Sequence, residues 1–190
     1  MILTVDLAAK FSAGIVRGRD GQVHCEFDTL NRTPREAAKM IADMGTLFGC
    51  DLIVIEDVPF GISSQFMVKP VLRLQGRVIQ AIEDAGLPAP WFVAPATWQR
   101  SMGVFKKRGT KPAEQKAITA AVAAELGYTP PDLLTVHAAE IPEKGPERTK
   151  IRALLNKSTT DYIDAWLMSQ WVLVMDKDYD LSQIQGVQAA

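Results

Sequence analysis

Two short apolar runs constrain the fold of this chain more than any other feature. Residues 2–7 (ILTVDL) and 51–58 (DLIVIEDV) consist almost entirely of aliphatic and β-branched residues, with a few acids. Such runs are typical of strands that lie in the centre of a sheet and are covered on both faces. They therefore predict a layered α/β domain.

Turn and helix signals give the order of the other elements. Asp20-Gly21, a common hairpin turn, separates strand-like stretches at 13–19 and 22–28. Helices are predicted at 34–49, 65–85, 96–102 and 111–126, a strand at 91–94, and mostly loop at 129–158. This order predicts an α/β fold with a mixed five-stranded sheet, an antiparallel hairpin plus parallel strands, and helices on both faces.

The composition is that of a soluble globular protein. The 190 residues carry a formal net charge of −1 at pH 7, so nucleic-acid binding would have to come from local basic clusters. Two cysteines without CxxC spacing indicate a reducing compartment, and no signal peptide or membrane span is recognisable. We expect a cytoplasmic protein without a membrane partner, with one domain at 1–175 and an acidic tail at 176–190.

Carboxylates interrupt the apolar segments at three places. Asp6 lies in the first run and Glu56 in the second, while Asp161 and Asp164 share one face of a late helix that contains TTDYIDAWLMSQW. Converging carboxylates repel one another unless cations lie between them, and their hard oxygen atoms suit Mg²⁺ or Mn²⁺. A metal site is therefore one interpretation of these four residues.

A structural role is the other interpretation. With Thr160 as the N-cap, the two aspartates would stand in a first helical turn, where acids suit the helix dipole. A single acid near a strand end can simply reach solvent. Zinc is not expected, because His24 and His137, the only histidines, lack ligand spacing.

The order of these motifs resembles the RuvC Holliday junction resolvases, which belong to the RNase H-like superfamily of metal-dependent nucleases. The resemblance is carried by a strand ending in Asp, a hairpin, a strand with Glu, and a late helix beginning D-x-x-D-A. LRLQGRVIQAIEDAG, VAPATWQRSMG and KKRGTKPAEQKAITAAV are similar to the family's long helix, its fifth strand with the short helix that follows, and its basic loop with the next helix. The stretch DLAAKFSAG and the long basic loop before D-x-x-D-A depart from the family pattern and indicate a divergent member, such as one from a phage.

The resemblance implies a crossover junction endodeoxyribonuclease. Such an enzyme makes paired nicks in four-way or branched DNA and leaves 5′-phosphate and 3′-hydroxyl ends. Asp6, Glu56, Asp161 and Asp164 would be the catalytic, metal-binding residues for two Mg²⁺ ions, with Mn²⁺ as a substitute and no small-molecule cofactor.

The family acts as a homodimer, because two symmetric nicks need two active sites. The expected interface is the helix at 65–85, whose apolar residues would otherwise pack on the sheet. These residues are Met67, Val71, Leu74, Val78 and Ile82.

Basic and aromatic residues form the expected DNA surface. One cluster matches the family's DNA-contacting loop and helix and consists of Arg100, Lys106, Lys107, Arg108, Lys111 and Lys116. Phe60 and Phe66 bracket a loop that the family uses to probe the junction centre, and they are either a wedge or ordinary packing. A second cluster is a DNA contact or a solvated surface and consists of Lys144, Arg148, Lys150, Arg152 and Lys157.

Three other functions stay open at this point. The chain would be another RNase H-like nuclease acting on RNA, forks or flaps, a non-catalytic junction-binding protein, or half of an actin-like or sugar-kinase-type ATPase. The full set of four carboxylates disfavours the second, and the lack of a glycine-rich phosphate loop near Asp6 disfavours the third. The expected location is the cytoplasm of a bacterial or phage-infected cell.

Overall fold

A mixed sheet forms the centre of the molecule. The computed structural model describes residues 1–58, 65–104, 110–178 and 187–189. Within them the sheet has six strands in the order β3-β2-β1-β4-β5-β6. Their bounds are β1 Ile2–Asp6, β2 Ala13–Arg17, β3 Val23–Asp28, β4 Leu52–Glu56, β5 Trp91–Val93 and β6 Val187–Ala189.

The pairing of the strands confirms the predicted mixed sheet. β4 runs parallel to β1 and to β5, whereas β1, β2 and β3 form an antiparallel meander. β6 adds a short antiparallel edge strand beside β5. It lies within the stretch that the sequence assigns to an acidic tail, and the prediction of five strands did not include it.

The helices follow the predicted order, and four of them lie close to the predicted bounds. They are α1 Pro34–Leu47, α2 Gln65–Asp84, α3 Pro95–Ser101, α4 Pro112–Glu125, α5 Leu133–Val136 and α6 Pro146–Asp178. α1 begins with a capping box, in which Thr33 Oγ1 accepts from the Glu36 backbone N–H and Glu36 accepts from the Thr33 backbone N–H.

The prediction of mostly loop at 129–158 is wrong. This stretch contains α5, a 3-10 turn at Ala138–Glu140 and the first part of α6, which begins at Pro146. Proline is favoured at a first helical position, so the charged, proline-containing composition concealed a helix start. Thr160 lies inside α6 and its hydroxyl donates to the Lys157 carbonyl at 2.8 Å. The N-cap interpretation of Asp161 and Asp164 is therefore wrong as well.

Helices cover both faces of the sheet, as predicted. On one face, α6 packs with α3, α4 and α5 over residues such as Ile2, Ile15 and Val54. On the other face, α1 and α2 pack over Leu3 and Ile53. In the described part of the chain, no helix combines the length and the apolar character needed to cross a bilayer.

The predicted dimer residues on α2 serve the monomer core instead. Leu74, Val78 and Ile82 are almost fully buried in the cluster between α1, α2 and the sheet, and Val71 packs against this cluster. The side chain of Met67 lies outside the described residues. The alternative interpretation, packing on the sheet, is confirmed for the described members of this set.

One buried hydrogen bond fixes α6 on β1. The hydroxyl of Thr4, with no exposed surface, donates to the Ala165 carbonyl at 2.9 Å. A hydroxyl buried without a partner is unfavourable, so this bond favours one position of the helix along the strand. Asp6 lies two residues beyond Thr4 on the same strand face, and Asp164 immediately precedes Ala165.

Thr4→Val keeps the side-chain shape and removes this bond. We expect the free energy of unfolding to fall by about 1 kcal/mol, which is typical of one neutral hydrogen bond. Urea denaturation measures the effect. Thr46→Val is the control. It makes the same chemical change, but the Thr46 hydroxyl donates to the Ala42 carbonyl within α1 and does not join a helix to a strand. A Thr4→Val protein as stable as wild type would contradict the role given to this bond.

Candidate metal centre

Two of the four acids end neighbouring parallel strands. Asp6 is the last residue of β1 and Glu56 the last residue of β4. The register pairs Val5 with Ile55, so the two acids stand level at the carboxyl edge of the sheet. Because side chains alternate along a strand, both point to the face that α6 covers.

The other two acids come from the middle of α6. Asp161 and Asp164 are about one turn apart, and Lys157 lies one turn before them on the same stripe. The bond between Thr4 and Ala165 places this stripe beside the ends of β1 and β4. Tyr162 adds a second anchor, since its hydroxyl donates to Asp28 Oδ2 at 2.8 Å at the end of β3.

The four carboxyl groups lie close enough for their charges to interact. Burial raises the pKa of Asp6 well above its usual value, and the charges of Glu56, Asp161 and Asp164 raise it further. Burial, and to a lesser extent the charge of Asp164, raises the pKa of Glu56 to about 8. Burial also raises the pKa of Asp161 to about 6. Burial together with the charge of Asp161 raises the pKa of Asp164 to about 7.

Two uncharged donors and two lysines moderate these shifts. Trp98 Nε1 donates to Glu56 Oε2 at 2.9 Å, and a hydrogen bond from Ser158 lowers the pKa of Asp161. The charges of Lys116 and Lys157 lower the pKa of Asp161, and Lys116 lowers that of Asp164.

The position of Lys116 is itself fixed by α6. Its Nζ donates to the Lys157 carbonyl at 3.1 Å and to Thr160 Oγ1 at 2.7 Å. Lys116, Lys157, Asp161 and Asp164 all line an open cleft of about 320 Å³. Asp161 and Asp164 therefore face a cleft that two lysines also line.

A larger groove exists but has no connection with this chemistry. It measures about 520 Å³ and lies between α1 and α2, which cover the other face of the sheet. Alanines and charged residues line it, including the ion-paired Lys39 and Asp43. None of the four acids borders it.

The donor set fits a divalent cation in type. Four carboxylates supply only hard oxygen ligands, and the negative charge concentrated there favours a bound cation. In the described part of the chain, however, no group of three or more His, Cys, Asp or Glu side chains is already arranged to hold a metal ion. The four acids thus fit a cation by donor type and not by their present arrangement.

The structure describes three of the predicted DNA-binding residues. Lys116 lies beside the acids, and Arg100 on α3 and Lys111 before α4 are exposed. The other members fall outside the described residues, by position or, for Phe66, by side chain. They are Phe60, Phe66, Lys106, Lys107 and Arg108.

The second basic cluster was expected to lie in a loop, but most of it lies on α6. Lys144 lies two residues before the start of α6, and Arg148, Lys150, Arg152 and Lys157 are exposed on its first half. Lys150 forms an ion pair with Glu147, whereas Lys157 lines the cleft that also contains Asp161 and Asp164.

Three residues beside the acids were not predicted to interact with them, although Lys157 was named as a possible DNA contact. Lys157 precedes Asp161 by four positions, a spacing that places both on one helix face and was available in the sequence. Ser158 and Trp98 gave no such signal. Their contacts with the acids depend on how α6 and α3 pack, which a single sequence does not display.

Comparison with known structures identifies the fold. No protein-family model matches the chain, and no curated protein sequence is significantly similar to it. The structure of Thermus thermophilus RuvC in complex with a Holliday junction substrate matches with a TM-score of 0.52 at 10% identity, over 100% of this chain and 99% of that one. The chain has the RuvC fold.

A second structure of Thermus thermophilus RuvC matches over the same shares of both chains, with a TM-score of 0.52 and 11% identity. The resemblance seen in the sequence is thus confirmed as RuvC-like and RNase H-like in fold. The match covers nearly all of RuvC, so the shared fold is not limited to a fragment.

The raised pKa values predict how stability depends on pH. Asp164 has a pKa of about 7 in the folded protein against an ordinary value of 3.8, so the folded state holds this proton more tightly than the unfolded chain. Its contribution to the free energy of unfolding is therefore lost as pH rises between those two values. In EDTA, Asp164→Asn should flatten the fall of stability between pH 3.8 and about pH 7.

Urea denaturation at several pH values measures this slope. Asp84→Asn, an exposed change on the last residue of α2, is the control and should keep the wild-type slope. If Asp164→Asn also kept the wild-type slope, the four acids would not interact as described.

Proposed function

We propose that the chain is a metal-dependent endonuclease that resolves four-way or otherwise branched DNA junctions by paired nicks. The observation that carries the proposal is that Asp6, Glu56, Asp161 and Asp164 lie within electrostatic range of one another at the carboxyl edge of β1 and β4. The RuvC fold supports it, since one RuvC structure of this fold contains a Holliday junction substrate.

The four carboxylates would hold Mg²⁺, or Mn²⁺ in its place, as two ions. A divalent cation supplies Lewis-acid activation of water and neutralises charge on the scissile phosphate. Paired nicks of this chemistry would leave 5′-phosphate and 3′-hydroxyl ends. No side-chain nucleophile is needed, so the chain's part is to position oxygen ligands and to bind the DNA backbone.

Lys116 is placed to contact that backbone. Its ammonium group is bonded to Thr160 and to the Lys157 carbonyl, at the edge of the cleft that also contains Asp161 and Asp164. A fixed cation there attracts a phosphate oxygen towards the acids. Lys157 adds a second positive charge on the same wall.

Two symmetric nicks require two such sites, and we propose a homodimer in the cytoplasm of a bacterial or phage-infected cell. Leu74, Val78 and Ile82 are occupied in the monomer core. A dimer interface on α2 would therefore use its outer side, where the side chain of Leu72 is 49% exposed.

Cleavage of a mobile four-way DNA junction tests the proposal. We expect Mg²⁺-dependent paired nicks that EDTA abolishes, with forks, flaps, linear duplex and RNA–DNA hybrids cut less. Preferred cutting of forks, flaps or hybrids would favour another RNase H-like nuclease. Junction binding without any cutting would favour a non-catalytic binding protein.

Glu56→Gln is expected to abolish cleavage and to leave junction binding largely intact, because the change removes a ligand charge and keeps the shape. Single-turnover cleavage and gel-shift binding measure the two effects. Asp57→Asn is the matched control, since Asp57 is the next residue and accepts hydrogen bonds from Val58 N–H and Gln75. Retention of more than about a tenth of wild-type cleavage by Glu56→Gln would argue against Glu56 as a ligand.

The basic segment between α3 and α4 is expected to contact phosphates. Replacing Lys106, Lys107 and Arg108 by alanine should reduce the salt dependence of junction binding, the slope of log K against log salt, by up to about three units. The control triple is Arg32, Arg35 and Lys39 at and just before α1, on the other face of the sheet. Equal slopes for the two triple variants would indicate that the segment is an ordinary solvated surface.

A further inference from the structure

Trp98 lies directly beneath one of the four acids. Its ring has no exposed surface, and its Nε1 donates to Glu56 Oε2 at 2.9 Å. The connection is built into the fold, because Val93 at the end of β5 pairs with Glu56 and α3 begins at Pro95. Trp98, at the end of the first turn of α3, therefore lies next to the end of β4.

Burial alone does not account for this bond. Trp171 belongs to the same core cluster and is 1% exposed, yet its Nε1 has no hydrogen-bond partner. The core thus tolerates a tryptophan whose N–H is unpaired. At Trp98, by contrast, the N–H meets one oxygen of a carboxylate in the candidate metal centre.

The contact makes the two oxygens of Glu56 unequal. An indole has one donor in a fixed direction, and a ring enclosed on all sides has little freedom to release its acceptor. Oε2 is held by Trp98, so Oε1 is the oxygen left to turn towards the other acids. Because Oε2 already accepts a hydrogen bond, Oε1 is the better cation ligand of the two oxygens.

We propose that Trp98 is a positioning residue that makes Glu56 a one-oxygen ligand and thereby favours Mg²⁺ and Mn²⁺ over Ca²⁺. The inference rests on the proposed function, in which Glu56 binds the metal. Mg²⁺ takes an octahedral shell with few protein oxygens, whereas Ca²⁺ accepts six to eight ligands and often chelates both oxygens of a carboxylate. Removing the indole N–H would free Oε2 for such chelation.

The test compares Trp98→Phe with wild type by calorimetric titration of the metal-free protein, without DNA. Mn²⁺ affinity should fall by about tenfold or more, as is usual when a partner of a metal ligand is lost, while Ca²⁺ affinity falls less or rises. The measured quantity is the ratio of the two affinities. Trp171→Phe is the matched control and should keep the wild-type ratio, because it removes an N–H without a partner.

The outcomes separate the two proposals. If wild type binds neither ion, the proposed function fails. If wild type binds Mn²⁺ and Trp98→Phe keeps the wild-type ratio, only the role of Trp98 is overturned.

A second measurement uses the unaltered chain, so it does not depend on the folding of a variant. The Trp98 indole N–H signal in a nitrogen-15 NMR spectrum should stay protected from solvent exchange when Mg²⁺ binds. Loss of that protection on Mg²⁺ binding would show that Glu56 leaves Trp98, and it would overturn the inference.

Discussion

The mutual repulsion of Asp6, Glu56, Asp161 and Asp164 is the constraint on which the rest of the structure depends. Burial raises the pKa of each group, and neighbouring carboxylates raise it further for Asp6, Glu56 and Asp164. Gathering the four groups without a cation therefore opposes folding at neutral pH. The surrounding fold has to offset this cost. A bound divalent cation would reverse its sign, because the same charges would then stabilise the folded, metal-bound protein.

The second half of α6 supplies much of that offset. Most residues at 162–173 are buried against the sheet and the other helices, with Ile163, Leu167 and Trp171 almost fully enclosed. The first half of the same helix is mostly exposed and basic. One continuous helix thus holds two of the acids near its middle and carries cations towards solvent in its first half.

The sequence predicted five of the six described strands, the hairpin and four of the helices because periodicity and turn chemistry are local properties. The start of α6 was missed because proline, glycine and charge around Pro146 are as typical of a loop as of a helix start. The four acids could be named from acids in apolar runs, but the contacts of Trp98 and Ser158 could not, since they arise only when separate helices pack together. For the same reason, the sequence could not show whether Leu74 and Val78 belong to the core or to a dimer interface.

Anomalous diffraction from crystals soaked in Mn²⁺ tests the central claim, that these acids form one cation site, most directly. The account predicts strong Mn²⁺ peaks within coordination distance of Asp6, Glu56, Asp161 and Asp164, and no peak of that kind in Glu56→Gln crystals soaked identically. Mn²⁺ bound elsewhere, with these four side chains still apart, would contradict it.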